Sequence, residues 1–297
     1  MQLSTGEIAT ILGSSTAQRE RTVRSYSIDS RAITPGSLFL AIRGARFDGH
    51  DFVARAFDRG AVAAVVEQVF FDSSPAAIRS ALIPVPDTNV ALQQLAQAVR
   101  QKWGRCLIGV TGSTGKTTTK ELLAAQLATR FVVHKSAGNL NNHYGVPLTL
   151  LALEPSHEVA VVELAMSAPG EIARLAQIAG PEVGVVTNVA AVHLEFFDSV
   201  DSIARAKREL IKNLKPPATA VLNHDDPRVR SFVDGFEGRT VTFGFGHEAQ
   251  IQGVDWQEAG QGRRLSQAVV SGPGDPRRIR QQDLLREAQS SLMPGVS

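Results

Sequence analysis

The chain has 297 residues, 43% of them hydrophobic, a formal charge of +2 and one cysteine. That length suits about two domains, and so small and scattered a positive charge argues against a nucleic-acid partner. No run approaches the ~20 apolar residues that span a bilayer, the start MQLSTGEIATILG lacks a secretory pattern, and the lone Cys106 reads as a small core residue in a reducing, cytoplasmic compartment.

Over residues 1–86, the apolar runs SLFLAI (37–42) and AVAAVVE (61–67), set between Gly- and Asp-rich turns, predict a small mixed α/β domain. ALQQLAQAVRQKW (91–103) has helical spacing and leads into a second domain, over 87–253. There LIGVT (107–111), FVVH (131–134), VAVVE (159–163), VGVVT (183–187) and TAVLN (219–223) are apolar nearly throughout, as strands buried on both faces of a parallel sheet are. EIARLAQIA (171–179) and IARAKRELIKNL (203–214) supply intervening helices. The prediction is an α/β fold with a doubly wound, mostly parallel sheet. No aromatic residue follows Trp256, and 254–297 is rich in Arg, Gln, Pro and Gly. An irregular tail is expected there, with at most a short helix over 282–288.

GVTGSTGKTTTKELLAAQL (109–127) joins a strand to a glycine-rich turn and then to a helix opened by Lys-Thr-Thr. The N–H groups of such a turn and the positive helix end face phosphate oxygens. Gly112, Ser113, Thr114, Gly115, Lys116, Thr117 and Thr118 are therefore the candidate residues for binding ATP or GTP. Lys116 is placed to reach the β- and γ-phosphates and the Thr117 hydroxyl to reach Mg2+. The spacing departs from G-x-x-x-x-G-K-[ST]: Val110 stands where the first glycine belongs, and Gly112 comes two residues later.

Ligands of open α/β sheets bind beyond the carboxyl ends of the strands. VAVVE ends in Glu163, a carboxylate suited to Mg2+, and VGVVTN leads through Asn188 to His193. Glu163 also reads as a helix cap, and His193 as a satisfied loop histidine. Lys207 falls on the apolar stripe of Ile203, Leu210, Ile211 and Leu214. An inward lysine snorkels, pairs or loses its charge, and a neutral amine can take up carbon dioxide as a metal-binding carbamate.

TGSTGKTTTKE (111–121), KSAGNLNNHYGVPLTLL (135–151), VVELAMSAPGEIARL (161–175), VVTNVAAVHLEFF (185–197), ARAKREL (204–210) and VLNHDDP (221–227) together resemble the Mur ligase family. GNLNN-x-x-G-x-P is similar to the branch that joins D-alanyl-D-alanine to UDP-N-acetylmuramoyl tripeptide. The resemblance implies an ATP- and Mg2+-dependent reaction in peptidoglycan precursor synthesis. ATP phosphorylates the tripeptide's terminal carboxylate, and the dipeptide amine attacks the acyl phosphate. It implies Lys116, His193 and Lys207 as catalytic, with Thr117, Glu163, His193 and a carbamylated Lys207 around the metal. It further implies Asn223 and Asp226 beside the nucleotide and Asn139, Asn141 and Asn142 in a central substrate loop. Ser30, Arg31, Asp48, Gly49 and His50, within SIDSRAITPGSLFLAIRGARFDGHDF (27–52), are the UDP-sugar candidates. A monomer is expected. Family members carry a third domain, and the similarity fades after about Gly253, so the expectation for 254–297 is an atypical tail with that domain lacking. The alternatives to an active ligase are a non-catalytic ATP- and UDP-sugar-binding module and another amide ligase of the same family.

Overall fold

The computed structural model describes residues 1–14, 20–44, 46–192, 195–259, 262–270 and 277–280. Its contacts divide the chain into two units, Met1–Gly104 with Tyr144–Ser156, and Arg105–His143 with His157–Ser297.

In the first unit β1 (Leu3–Ser4) leads into α1 (Thr5–Ile11) and pairs with β2 (Thr22–Val23). There follow β3 (Ser25–Ser27), β4 (Ser37–Leu40), α2 (Val53–Asp58), β5 (Ala63–Glu67), α3 (Gln68–Ser73), α4 (Ala76–Arg79), β6 (Leu82–Val85) and α5 (Thr88–Trp103). β3 to β6 form a parallel sheet in chain order. Every residue of β4 is buried, as expected of a strand covered on both faces. Phe39, Ala64, Val66 and Leu82 share a core with Ile33, Val53 and Ala56, against which Phe52, Phe57, Phe70 and Phe71 pack.

α5 begins where the Asp87 carboxylate accepts the N–H groups of Asn89 (2.7 Å) and Val90 (3.1 Å). It stops at Gly104, whose φ of 65° suits glycine. Its buried Leu92, Leu95, Ala96 and Val99 recur at helical spacing. The helix packs on α1 and β5, so this unit runs on to Gly104, past the boundary expected at 86.

The second unit is built on β7 (Cys106–Thr111), followed by α6 (Lys116–Leu127) and β8 (Val133–Lys135). The chain then contributes α7 (Gly145–Leu151) to the first unit, where it packs on α5 and β3. It resumes the second with β9 (Val159–Glu163), α8 (Glu171–Ala179), β10 (Val183–Val186), α9 (Val200–Lys212), β11 (Thr219–Asn223), α10 (Pro227–Arg230) and β12 (Arg239–Gly244). β13 (Ile251–Ala259), β14 (Gly262–Val270) and β15 (Arg277–Arg280) complete it. The sheet order is β15-β14-β13-β12-β11-β10-β7-β9-β8, and it is parallel from β8 through to β13. β7 thus lies between β9 and β10, and the chain leaves β7 toward one edge but β9 toward the other. That reversal opens a crevice beyond the carboxyl ends of these strands.

Ile108, Val110, Val159, Val161, Val183 and Val185 pack with Ala124 and Leu127 of α6, while Cys106 packs at the margin of this core. In the neighbouring strands Gly109 and Gly184 stand side by side in register. A Cβ on Gly184 would lie 3.0 Å from Leu214 Cδ2, and one on Gly109 3.3 Å from Leu210 Cδ1. Two bare glycines therefore let α9 and the turn after it approach the sheet closely.

Over its described residues the tail departs from the irregular segment expected. β13 and β14 pair antiparallel from Ile251↔Val270 to Ala259↔Gly262, and β15 adds to β14. Low apolar content weighs against an independent core, but an edge strand needs only a template for its backbone donors and acceptors, and β12 supplies one. The helix expected over 282–288 lies outside the described residues. Among the described residues no helix is long and apolar enough to cross a membrane.

Candidate active site

The glycine-rich turn lies between β7 and α6. A Cβ on Gly112 would stand 1.8 Å from Thr187 Oγ1, so no side chain fits there. Gly115, at φ 78°, ends the turn as the N-cap of α6 and offers no side-chain acceptor to the helix's first N–H groups. Those uncapped donors, at the positive end of a twelve-residue helix, suit an anion.

The turn is held from behind by the segment after β10. Ser113 N–H donates to the Asn188 carbonyl (2.9 Å), Thr114 N–H to Asn188 Oδ1 (2.9 Å), and the Thr187 hydroxyl to the Thr114 carbonyl (2.7 Å). Asn223 and Asp226 stand one layer further back. Asn223 Nδ2 donates to the Thr187 carbonyl (2.8 Å), and Asp226 Oδ2 accepts the Val189 N–H (2.7 Å) while capping α10. Both brace the segment that braces the turn.

Glu163 ends β9 and is 2% exposed. Its Oε2 accepts the Thr117 hydroxyl (2.8 Å), its Oε1 accepts Asn141 Nδ2 (2.9 Å), and its own N–H donates to Ser136 Oγ (3.1 Å). The alternative of a helix cap does not hold, since Glu163 is not the N-cap of α8; Gly170 is. Lys116 bends back so that Nζ donates to the carbonyls of Gly112 (2.9 Å) and Ser113 (3.1 Å). Burial lowers its pKa, and the Glu163 charge works in the opposite direction. Gly115, Lys116, Thr117, Thr118, Asn141, Asn142 and Glu163 line one cleft. Asn139 is exposed and outside that lining. His193 lies outside the described residues.

Lys207 is 3% exposed on the buried stripe of α9. Burial, reinforced by the positive charge of Lys116, lowers its pKa to about 7. Near neutrality a large share of this amine is unprotonated, the form that reacts with carbon dioxide.

In the first unit, Asp29 caps the 3-10 turn Ser30–Ala32 and pairs with Arg31 (2.8 Å), whose guanidinium is exposed, while Ser30 is buried. Asp48 caps the turn Gly49–Phe52. His50 Nε2 accepts the Glu67 N–H (2.9 Å), which leaves the proton on Nδ1 for Asp48 Oδ1 (2.5 Å). Asp48 and His50 therefore satisfy one another and tie this turn to the end of β5.

The sequence assigned no role to Lys120, Ser136, Thr187 or Asn188, nor to Glu209, which caps α8 from α9. Only Lys120 carried a usable signal, standing four residues after Lys116 on the same helix face.

Residues 110–275 match the Mur ligase middle domain, and residues 22–100 match the Mur ligase family catalytic domain. The chain is 42% identical over 246 residues to the UDP-N-acetylmuramoyl-tripeptide--D-alanyl-D-alanine ligase of Bacillus subtilis, covering 82% of this chain and 52% of that one. It is 43% identical over 252 residues to the enzyme of the same name from Synechocystis, covering 84% and 54%. A crystal structure of MurF from Acinetobacter baumannii superposes with a TM-score of 0.81 at 27% identity, over 98% of this chain and 64% of that one. MurF ligase from Thermotoga maritima in complex with ADP gives 0.74 at 34% identity, over 90% and 62%. The chain spans about half the length of the curated relatives it matches. With both stretches matched, the chain belongs to the Mur ligase family.

Proposed function

We propose that this chain carries the nucleotide and muramoyl-peptide machinery of a cytoplasmic ligase that joins D-alanyl-D-alanine to UDP-N-acetylmuramoyl tripeptide. The observation that carries the reading is the hydrogen-bonded set of Thr117, Glu163 and Asn141 beside Lys116 and the uncapped start of α6. The names of the relatives at 42% and 43% identity, and the ADP complex of the Thermotoga structure, support the choice of substrates and nucleotide.

A carboxylate is a poor electrophile until it gains a leaving group. In the proposed reaction the tripeptide's terminal carboxylate oxygen attacks the γ-phosphorus of ATP, and ADP departs. The D-alanyl-D-alanine amine then attacks the acyl carbon, an amide bond forms, and phosphate leaves with the bonding pair. Lys116 exchanges its two backbone carbonyls for phosphate oxygens, and its charge offsets the negative charge that builds there. The α6 amides hold the β-phosphate side.

The buried Glu163 carboxylate and the Thr117 hydroxyl form an all-oxygen donor set that fits Mg2+. Magnesium bound there supplies charge neutralisation to the phosphates. A Lys207 carbamate, formed when the neutral amine adds to the carbon of carbon dioxide and loses one proton, would add a second anionic oxygen pair, and His193 is the further candidate ligand. Asn139, Asn141 and Asn142 on the loop after β8 are proposed as a substrate loop of the second unit, and Ser30, Arg31, Asp48, Gly49 and His50 as the UDP-sugar candidates of the first.

The test is phosphate release from ATP with the UDP-tripeptide, with and without D-alanyl-D-alanine, followed by mass analysis of the product. Dipeptide-dependent release with a UDP-muramoyl pentapeptide is expected of a ligase. Nucleotide and UDP-sugar binding with no turnover would favour the non-catalytic module instead.

A further inference from the structure

Lys120 is 0% exposed, although it carries an ammonium. A buried charge is costly unless each of its protons finds an acceptor. Here Nζ donates to the Ser136 carbonyl (2.9 Å) and the Gly138 carbonyl (3.3 Å), and pairs with Glu121 Oε1 (3.1 Å). Glu121 in turn pairs with Lys135 at the end of β8.

We infer that Lys120 is a positioning residue whose ammonium pins the 136–138 backbone and, through that loop, aims the Glu163 carboxylate. The loop is tied to the end of β9 at both of its own ends. At the first, Ser136 N–H donates to the Val161 carbonyl (3.1 Å) and Ser136 Oγ accepts the Glu163 N–H (3.1 Å). At the second, the Asn141 carbonyl accepts the Ala165 N–H (2.8 Å), and Asn141 Nδ2 holds Glu163 Oε1 (2.9 Å). Between them the backbone folds tightly on itself, Leu140 N–H to the Ala137 carbonyl (3.1 Å) and Asn141 N–H to the Asn139 carbonyl (2.8 Å).

Lys120 grips the start and middle of this stitch. α6 therefore reaches Glu163 twice, through the Thr117 hydroxyl on Oε2 and through Lys120, the loop and Asn141 on Oε1. An apolar side chain at 120 leaves the buried Ser136 carbonyl, and the part-buried Gly138 carbonyl beside it, without their donor. The loop then relaxes, and Oε1 loses its fixed direction. The loop runs on into Asn142, which lines the same cleft, so the same lysine steadies the side that faces the proposed peptide substrate.

This inference rests on the reading of Glu163 as a metal–nucleotide group, and its test separates the two. Mn2+ binding to the full chain in the presence of ADP is measured by electron paramagnetic resonance, alongside ADP affinity without metal and the thermal midpoint. Glu163→Gln is expected to raise the Mn2+ half-saturation about 100-fold, and Lys120→Met and Asn141→Ala about 10-fold each, in line with groups behind a ligand. The double variant Lys120→Met/Asn141→Ala is expected to be no weaker than about 10-fold, because both act through one loop. Metal-free ADP affinity of Lys120→Met should stay within about 3-fold of the parent. A Lys120→Met chain with unchanged Mn2+ binding overturns the inference while Glu163→Gln still upholds the site. Multiplying effects in the double variant, or equal loss of ADP and Mn2+ affinity in Lys120→Met, also overturn it. If Glu163→Gln leaves Mn2+ binding untouched, the reading of Glu163 and this inference fall together. Should Lys120→Met fail to fold, Lys120→Gln, which keeps a donor without the charge, runs the same comparison.

Discussion

Lys207 illustrates how a single residue links burial to pH. Its amine has a pKa of about 7 in the folded chain against an ordinary 10.5. Between those values the unfolded chain binds a proton that the folded chain does not, so stability rises with pH across that window. Below about 7 both states are protonated, and the gain is absent. Lys207→Met should flatten this dependence in denaturant titrations run from pH 7 to 10; an unchanged slope would assign it to other groups. If the amine is carbamylated, added bicarbonate should raise the parent's activity and leave the Met variant's alone. Gly112 makes the steric counterpart. With 1.8 Å between a new Cβ and Thr187 Oγ1, Gly112→Ala should cost about 1–3 kcal/mol and abolish ATP binding by calorimetry. Binding at the parent's affinity would show that the turn can open without harm.

Elements place these residues by means that strand and helix patterns do not reveal. The Glu209 carboxylate of α9 accepts the N–H groups of Gly170 and Ala173, both at 2.9 Å, and so caps the start of α8 from a neighbouring helix. Glu209→Ala should cost about 1–2 kcal/mol and speed amide exchange at 170 and 173 in particular; uniform exchange would contradict a local cap. The pattern of apolar residues predicts where both helices lie, and the runs read as 159–163, 171–179 and 219–223 coincide with β9, α8 and β11. The cap itself joins residues far apart in sequence, and no local spacing encodes it.

At the scale of the molecule, the parallel sheet brings the ends of β7, β9 and β10 to one crevice, while β13 to β15 extend the far side. β13 meets β12 through only two register pairs, Phe243↔Ile251 and Gly244↔Gln252. A chain ending after residue 250 should therefore keep its ATP affinity within about 3-fold, since well-separated changes act independently. Loss of binding would show that the hairpin supports the crevice across the sheet.

The amino-acid sequence by itself determined the doubly wound sheet, the glycine-rich turn before α6 and the candidacy of Lys116, Thr117, Glu163 and Lys207. Each of these depends on short-range patterns: apolar runs, glycine spacing, a lysine on a helical stripe. The order in the tail, the extension of the first unit to Gly104 and the burial of Lys120 needed the tertiary structure. A strand that joins an existing edge, a helix that docks on a sheet and a charge satisfied by distant carbonyls draw their stability from partners far along the chain. Composition cannot report such partners, because only folding brings them within hydrogen-bonding distance.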